Sequence, residues 1–294
     1  MDAFAVSGSS GNPAGAVYPG EAQNPDEETM LRIGRELKGF VSEVGFVFPV
    51  DEGSVRLRLK YYSSECEVDF CGHATIAIMY DYFKSMGSGA PESICIETNR
   101  GILEVFNRIA ESDAVFITAP SPEYRNEPIS PAGAAGALGI ETADLNASLP
   151  VSIINAGLNT LLVPVRSLET LLGLKPDFEV LKGWLSSSGA DIVEVFCPET
   201  VSPLSAWRVR VFCPKFGYLE DPATGSGNSA FGNYLLKNGL WDGSSIALEQ
   251  NGERERFNVV RLASGVGRGT HGEYLTQVLF GGGASVKIDG EYHI

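Results

Sequence analysis

The chain has 294 residues, a length that favours two domains and suffices for well-packed apolar cores. Its formal net charge of -15 at pH 7 disfavours nucleic acid and anionic membranes as partners, because both bind through clustered Lys and Arg. Five cysteines without a C-x-x-C pair disfavour a disulfide framework or zinc ribbon, and the lack of a signal-peptide pattern or long apolar run predicts a cytoplasmic location.

The first elements are predicted from periodicity and capping residues. Residues 24–39 read as a helix that begins at Asn24, which can cap it, and ends at Gly39. Strands are predicted at 46–48 and 55–62, where apolar and polar residues alternate. Residues 73–83 have almost no polar face, so we expect a helix that is buried on all sides.

Residues 119–138 are broken by four prolines and predict a crossover between two domains. We therefore expect domains at 1–118 and 119–284, with a strand at about 285–294 that returns to the first domain. The second half repeats the first in order, which indicates a duplicated fold. The matched segments are 17–19 with 162–164, 24–39 with 177–188, 46–49 with 195–198, 56–59 with 208–211, and 72–83 with 225–236.

Two glycine-rich turns, at Gly72 and Gly225, open the two apolar helices. Free backbone N–H groups and the helix dipole make such a helix start a site for anions. If the halves face each other, both starts could hold one carboxylate without Lys or Arg. The second turn lacks the Gly-Lys-Ser/Thr ending of a nucleotide-binding loop, so a nucleotide is not expected.

These segments resemble the motifs of the PhzF-like (phenazine biosynthesis) family over nearly the whole chain. The matching segments are Gly-Asn-Pro-Ala-Gly-Ala-Val at 11–17, Ser-Glu-Val-Gly-Phe-Val at 42–47, Cys-Gly-His-Ala-Thr at 71–75, Glu-Asp-Pro-Ala-Thr-Gly-Ser at 220–226, Gly-Gly-Gly-Ala at 281–284 and Gly-Glu at 290–291. The sequence departs from the common pattern at Val44-Gly45 and Gly227-Asn228, both of which flank the expected site.

The resemblance implies an α/β (α+β) fold of the diaminopimelate epimerase-like type. Each of its two pseudo-symmetric domains is a barrel-like mixed sheet around a central buried helix. The resemblance also implies a homodimer and an isomerase without cofactor or metal, acting on a small carboxylated metabolite. In the family's best-known case that substrate is a dihydro-hydroxyanthranilate, although nothing in this sequence indicates phenazine synthesis.

The same resemblance implies the site residues. Glu43 is expected to be the general acid/base, with His73 and Asp221 as further catalytic residues that hold polar groups of the substrate. The residues expected to bind substrate are Asn12, Gly72, Gly225 and Ser226.

Sequence alone favours a Glu43 that faces water, because Glu is almost never buried, and the family motif reverses that preference. The second half has Ile192 at the matching position, so the expected base is single. The three histidines, His73, His271 and His293, form no spaced metal motif and no evident cluster with a carboxylate, so no metal is expected.

Two alternatives remain open. Related racemases and epimerases of this fold use a pair of thiols, and here Cys71 has only Thr224 as its counterpart. Because a hydroxyl cannot replace a thiolate as a base, an amino-acid or hydroxy-acid epimerase is disfavoured, and a structural role is expected for Cys71. The second alternative is a protein that binds small anions without turnover.

Overall fold

The computed structural model describes residues 1–6, 8–20, 24–125, 127–268 and 274–293. His271 lies outside the described residues. The chain divides into two compact units, Met1–Thr118 with Gly281–Ile294, and Ala119–Phe280.

The described part of the chain contains eighteen strands and seven α-helices, which we number separately in chain order. The strands are β1 (Asp2–Ala3), β2 (Asn12–Val17), β3 (Glu43–Glu52), β4 (Val55–Tyr62), β5 (Glu67–Val68), β6 (Ser93–Thr98), β7 (Gly101–Arg108), β8 (Ala114–Thr118), β9 (Glu123–Tyr124), β10 (Ser152–Asn155), β11 (Asn159–Pro164), β12 (Ile192–Cys197), β13 (Trp207–Phe212), β14 (Glu220–Asp221), β15 (Ile246–Gln250), β16 (Asn258–Arg268), β17 (Tyr274–Gly282) and β18 (Ala284–Ser285). The helices are α1 (Glu27–Glu36), α2 (Gly72–Met86), α3 (Ile109–Ser112), α4 (Pro131–Leu138), α5 (Leu168–Gly173), α6 (Phe178–Ser188) and α7 (Gly225–Lys237).

The two units repeat one order of strand pairing. In the first unit β2 pairs parallel with β3, β3 antiparallel with β4, β4 antiparallel with β5 and parallel with β6, and β6 antiparallel with β7. In the second unit the same senses join β11 to β12, β12 to β13, β13 to β14 and β15, and β15 to β16. This agreement confirms the predicted fold class and its internal duplication.

Each unit contains one long buried helix that packs on several strands of the same unit. Helix α2 packs on β1, β2, β3, β8 and β18, and α7 packs on β10, β11, β12 and β16. Both helices are buried along most of their length, α2 mainly through apolar side chains and α7 with Asn228, Ser229 and Asn233 buried as well. The predicted helix at residues 73–83 is therefore confirmed, and it extends from Gly72 to Met86.

The start of the first helix was predicted two residues too early. The residue that caps α1 is Asp26, whose side chain accepts a hydrogen bond from the Thr29 N–H at 2.9 Å. Asn24 and Asp26 are both good capping residues, so capping preference does not distinguish them. The helix then buries Met30 and Ile33 against Phe46.

Within the described residues, no helix has both the length and the apolar character needed to cross a membrane.

Candidate active site

Glu43 begins strand β3, beside β2, where it pairs with Ala14. Its side chain is partly accessible, with 24% of its area exposed. The residue after it, Val44, pairs with Tyr62 on the next strand. In the second unit Ile192 likewise begins the matching strand β12, so the structure puts an apolar side chain at the position equivalent to Glu43.

The start of helix α2 is held by hydrogen bonds from inside the unit. Cys71 is the N-cap residue, and its carbonyl accepts a hydrogen bond from Thr75 Oγ1 at 2.7 Å. Thr75 Oγ1 in turn lies 2.6 Å from the buried hydroxyl of Tyr61. Among the described residues no side chain caps α2, and its first turn holds no acidic residue. Its first N–H groups therefore suit an anionic group.

Glu43, Cys71 and His73 form a cluster at this helix start. His73 Nε2 lies 3.4 Å from Glu43 Oε2, and Cys71 Sγ lies 3.9 Å from the same oxygen. Cys71 Sγ is also 3.4 Å from His73 Nδ1, and Ser42 Oγ is 3.4 Å from His73 Nε2. The structure thus gathers a carboxylate, a thiol and an imidazole at one point.

The electrostatic surroundings of His73 favour its neutral form. Burial lowers the pKa of His73, while the charge of Glu43 and a hydrogen bond to the Pro13 carbonyl act in the opposite direction. A neutral imidazole keeps one nitrogen that can accept a hydrogen bond.

The expectation that no histidine clusters with a carboxylate is wrong. Three residues, Glu43, Cys71 and His73, each offer one possible ligand atom, and these three atoms lie within 4.8 Å of one another. The sequence hides this group because Glu43 is 28 residues from Cys71 and reaches it only through the fold. The expectation of a reaction without metal stays a prediction.

Asn12 is the buried first residue of β2, next to Pro13, whose carbonyl accepts the hydrogen bond from His73. The preceding residue, Gly11, has a φ of +67°, and a Cβ there would lie 2.7 Å from the Ala3 carbonyl oxygen. This turn therefore requires glycine.

In the second unit, Asp221 ends β14 and lies beside the start of α7. Thr224 Oγ1 donates to Asp221 Oδ2 at 2.6 Å. Gln250 binds the same turn, because its Nε2 donates to the Asp221 carbonyl and its Oε1 accepts from the Thr224 N–H, both at 3.0 Å. Asn228 Nδ2 donates a hydrogen bond to the Thr224 carbonyl at 2.7 Å. In the first unit Thr75 Oγ1 donates in the same way to the Cys71 carbonyl.

The remaining predicted residues also lie at the two helix starts. Gly72 and Gly225 are the first residues of α2 and α7, and Ser226 follows as a half-buried residue. A Cβ at Gly225 would lie 2.4 Å from the Phe280 ring, so this turn has no room for a side chain. That the two starts hold one ligand stays a prediction.

Sequence reasoning missed Glu194, a fully buried residue of β12. Within the described structure neither of its carboxylate oxygens has a hydrogen-bond partner, and burial raises its pKa well above the usual range. Alternation along the strand puts Glu194 on the same face as Ile192. That spacing was the available signal.

The chain thus has a duplicated α/β fold in which a carboxylate, a thiol and an imidazole meet at one helix start. The chain belongs to the phenazine biosynthesis-like (PhzC-PhzF) family, whose pattern it matches over residues 1–290. The resemblance drawn from the motifs is thereby confirmed.

The relatives agree with this assignment. The chain is 32% identical over 256 residues to the uncharacterized isomerase YfhB of Bacillus subtilis, covering 86% of this chain and 85% of that protein. It is 29% identical to the uncharacterized isomerase YddE of Escherichia coli K12, covering 87% and 84%. The predicted enzyme class, an isomerase, is confirmed by these relatives.

The solved structures give the same fold. A Bacillus anthracis phenazine biosynthesis protein of the PhzF family superposes with a TM-score of 0.80 at 27% identity, covering 96% of this chain and 93% of that one. A hydroxyproline epimerase from Agrobacterium vitis has a TM-score of 0.54 at 15% identity, covering 88% and 79%, and shares the fold alone.

Proposed function

We propose that the protein is a cofactor-independent isomerase that moves a proton within a small carboxylated substrate, with Glu43 as the general acid/base. The observation that carries this proposal is the position of Glu43, which is partly accessible and lies 3.4 Å from His73 at an uncapped helix start.

The reaction requires one carboxylate that acts first as a base and then as an acid. Glu43 takes a proton from an activated carbon, and the electron pair of the broken C–H bond passes into the substrate's conjugated system. Protonated Glu43 then returns the proton to another carbon of that system, which closes the cycle without an oxidant or a reductant.

The substrate carboxylate would be held by backbone N–H groups. The first turn of α2, from Gly72, offers N–H groups without a competing acidic side chain. His73 would bind a polar group of the substrate and keep the Glu43 carboxylate in position. We assign Asp221 to the catalytic residues of the same reaction, and Asn12, Gly72, Gly225 and Ser226 to substrate binding, on the strength of the family motifs.

A thiol-pair epimerase is supported less well. The residue equivalent to Cys71 is Thr224, the N-cap of α7, and its hydroxyl donates to Asp221. This hydroxyl cannot replace a thiolate as a catalytic base. The naming of the relatives as isomerases likewise favours turnover over simple anion binding.

The test is a turnover screen on small carboxylated substrates with an acidic C–H bond, in which wild type is compared with Glu43→Gln. Gln keeps the shape but cannot accept the proton, so kcat should fall by about 10²–10⁴ while substrate still binds. In D₂O the wild type should place label at the accepting carbon, unless the transferred proton is shielded from solvent.

The matched control is Glu65→Gln, which removes an exposed carboxylate paired with Lys38 and should leave kcat unchanged. Substantial turnover by a folded Glu43→Gln protein would contradict the proposal.

A further inference from the structure

The Glu43, Cys71 and His73 cluster has the donor atoms and the spacing of a zinc site. His73 Nε2, Cys71 Sγ and Glu43 Oε2 form a triangle with sides of 3.4, 3.9 and 3.9 Å. Around a tetrahedral Zn²⁺ with ordinary bond lengths, the same donor atoms are separated by about 3.4–3.6 Å. Shifts of a few tenths of an ångström, which side-chain rotations supply, would bring all three atoms to the metal.

The donor set also selects the metal. A thiolate with an imidazole and one carboxylate suits Zn²⁺ and Co²⁺, whereas Mg²⁺ and Ca²⁺ prefer oxygen ligands. Three protein ligands leave a fourth tetrahedral position for water or a substrate group. An entry path exists, because Glu43 has 24% and His73 has 14% of its side-chain area exposed.

The surroundings meet a second requirement of metal sites. Metal-bound histidines usually donate their other ring N–H to a carbonyl or carboxylate, which orients the ring. His73 has a hydrogen bond to the Pro13 carbonyl, which helps to orient its ring. The backbone that carries the thiol is fixed as well, since the carbonyl of Cys71, the N-cap of α2, accepts a hydrogen bond from Thr75, whose hydroxyl contacts that of Tyr61.

We propose that Glu43, Cys71 and His73 bind one Zn²⁺ ion, and that this ion reversibly inhibits the enzyme by occupying the carboxylate that transfers the proton. The inhibitory part rests on the proposed function, whereas the binding part does not. Zinc here is a regulator, so removing metal should preserve or raise turnover.

Binding is tested on the full chain without any substrate, with Co²⁺ as a spectroscopic substitute. Wild type should bind one equivalent and show the ultraviolet charge-transfer band of a thiolate–cobalt bond. Zn²⁺ should displace the cobalt and abolish the band, and excess Mg²⁺ should not.

The variants assign the ligands. Cys71→Ala should abolish the band, while Glu43→Gln and His73→Asn should each weaken zinc binding by at least about tenfold, since even outer-shell partners are worth ~10–100-fold. The matched controls are Cys66→Ala, an exposed thiol elsewhere, and His293→Asn in the C-terminal tail, both of which should bind as wild type does. If Cys71→Ala fails to fold, Cys71→Ser supplies the same comparison.

The outcomes separate the two proposals. A wild-type protein without the band at excess cobalt, or a band that persists in folded Cys71→Ala, overturns the zinc site whatever the enzyme does. A cobalt complex in a protein whose Glu43→Gln variant still turns over keeps the metal site and refutes the proton-transfer role. Zinc that binds but leaves turnover unchanged refutes the inhibition.

Discussion

The Glu194 carboxylate lies in the space that a side chain at Gly227 would need: a Cβ built on Gly227 would be 2.6 Å from Glu194 Oε2. Glu194 is on β12 and Gly227 is in the first turn of α7, so the glycine lets the helix pack over a buried acid. In the first unit the strand residue at the corresponding place is Gly45, where a Cβ would lie 2.4 Å from Ile78. Both units thus place a glycine where this strand packs on the long helix, on the helix in the second unit and on the strand in the first.

Gly227→Ala should therefore destabilise the protein. Glu194 is fully buried, so its carboxylate cannot swing aside, and overpacking of this kind costs about 1–3 kcal/mol of unfolding free energy. The control is Gly183→Ala in α6, where a Cβ meets no atom within 4 Å and should stabilise by roughly 0.5–1 kcal/mol. Urea denaturation of the two variants checks this. Equal effects would show that Glu194 does not constrain the helix.

Glu194 should also make the unfolding free energy depend on pH. Burial raises the pKa of Glu194 well above its ordinary value, so the folded protein keeps this proton while the unfolded chain releases it above about pH 4.3. The stabilisation is thus complete below the unfolded pKa and is lost as pH rises toward the folded pKa, at about 1.4 kcal/mol per pH unit for one proton.

Glu194→Gln should remove that slope at pH values above the unfolded pKa, as measured by urea denaturation. The slope is the readout, because a buried amide without partners carries its own cost at every pH. The exposed Glu127→Gln should keep the wild-type slope. A Glu194→Gln variant that kept it too would show that this proton is not retained in the folded state.

Local patterns predicted the elements well because helix and strand periodicity depend on neighbouring residues. The strand predicted at Val55–Tyr62 has those bounds in the structure, and the equivalence of Glu43 and Ile192 follows from matching positions in two repeated strands. What local patterns could not supply was the start of α1, because Asn24 and Asp26 cap equally well.

The sequence predicts which residues form the site, but it does not predict how their side chains are arranged. The 3.9 Å contact between Glu43 and Cys71 joins a strand to a helix start, which no sequence spacing encodes. Glu194 was missed for a different reason: β12 is buried on both faces, so its sequence lacks the polar–apolar alternation that separates an exposed Glu from a buried one. The departure from the family pattern at Gly227 is visible in the sequence. Its close approach to Glu194 is visible only in the structure.

Cys71→Ala should retain turnover, because the residue equivalent to it, Thr224, has no thiol to complete a pair. We expect any loss of kcat to stay below the roughly 10² typical of losing a general base, with a loss of ~1 kcal/mol of unfolding free energy from packing. Kinetics on the substrate found for wild type, with thermal denaturation alongside, measures both. A folded but inactive Cys71→Ala protein would instead favour thiol chemistry.

The buried ion pair of Arg208 and Glu249 should be far more important to stability than the surface pairs. Both side chains are fully buried, and Arg208 Nη1 lies 3.0 Å from Glu249 Oε2. The same carboxylate accepts hydrogen bonds from the N–H groups of Val201 and Ser202. Because Glu249→Ala would leave the guanidinium buried without its counter-charge, we expect a loss of about 3–5 kcal/mol of unfolding free energy.

Two comparisons make this prediction specific. Glu65→Ala breaks the exposed pair with Lys38 and should cost no more than about 1 kcal/mol. Glu249→Gln keeps the shape of the side chain, so the difference between it and Glu249→Ala separates the lost charge from the lost packing. The measurement is urea denaturation at low and high salt. Salt should weaken the exposed pair and leave the cost at Glu249 nearly unchanged, because buried charges are screened much less. A cost at Glu249 as small as that at Glu65 would mean that water reaches Arg208 in the folded protein.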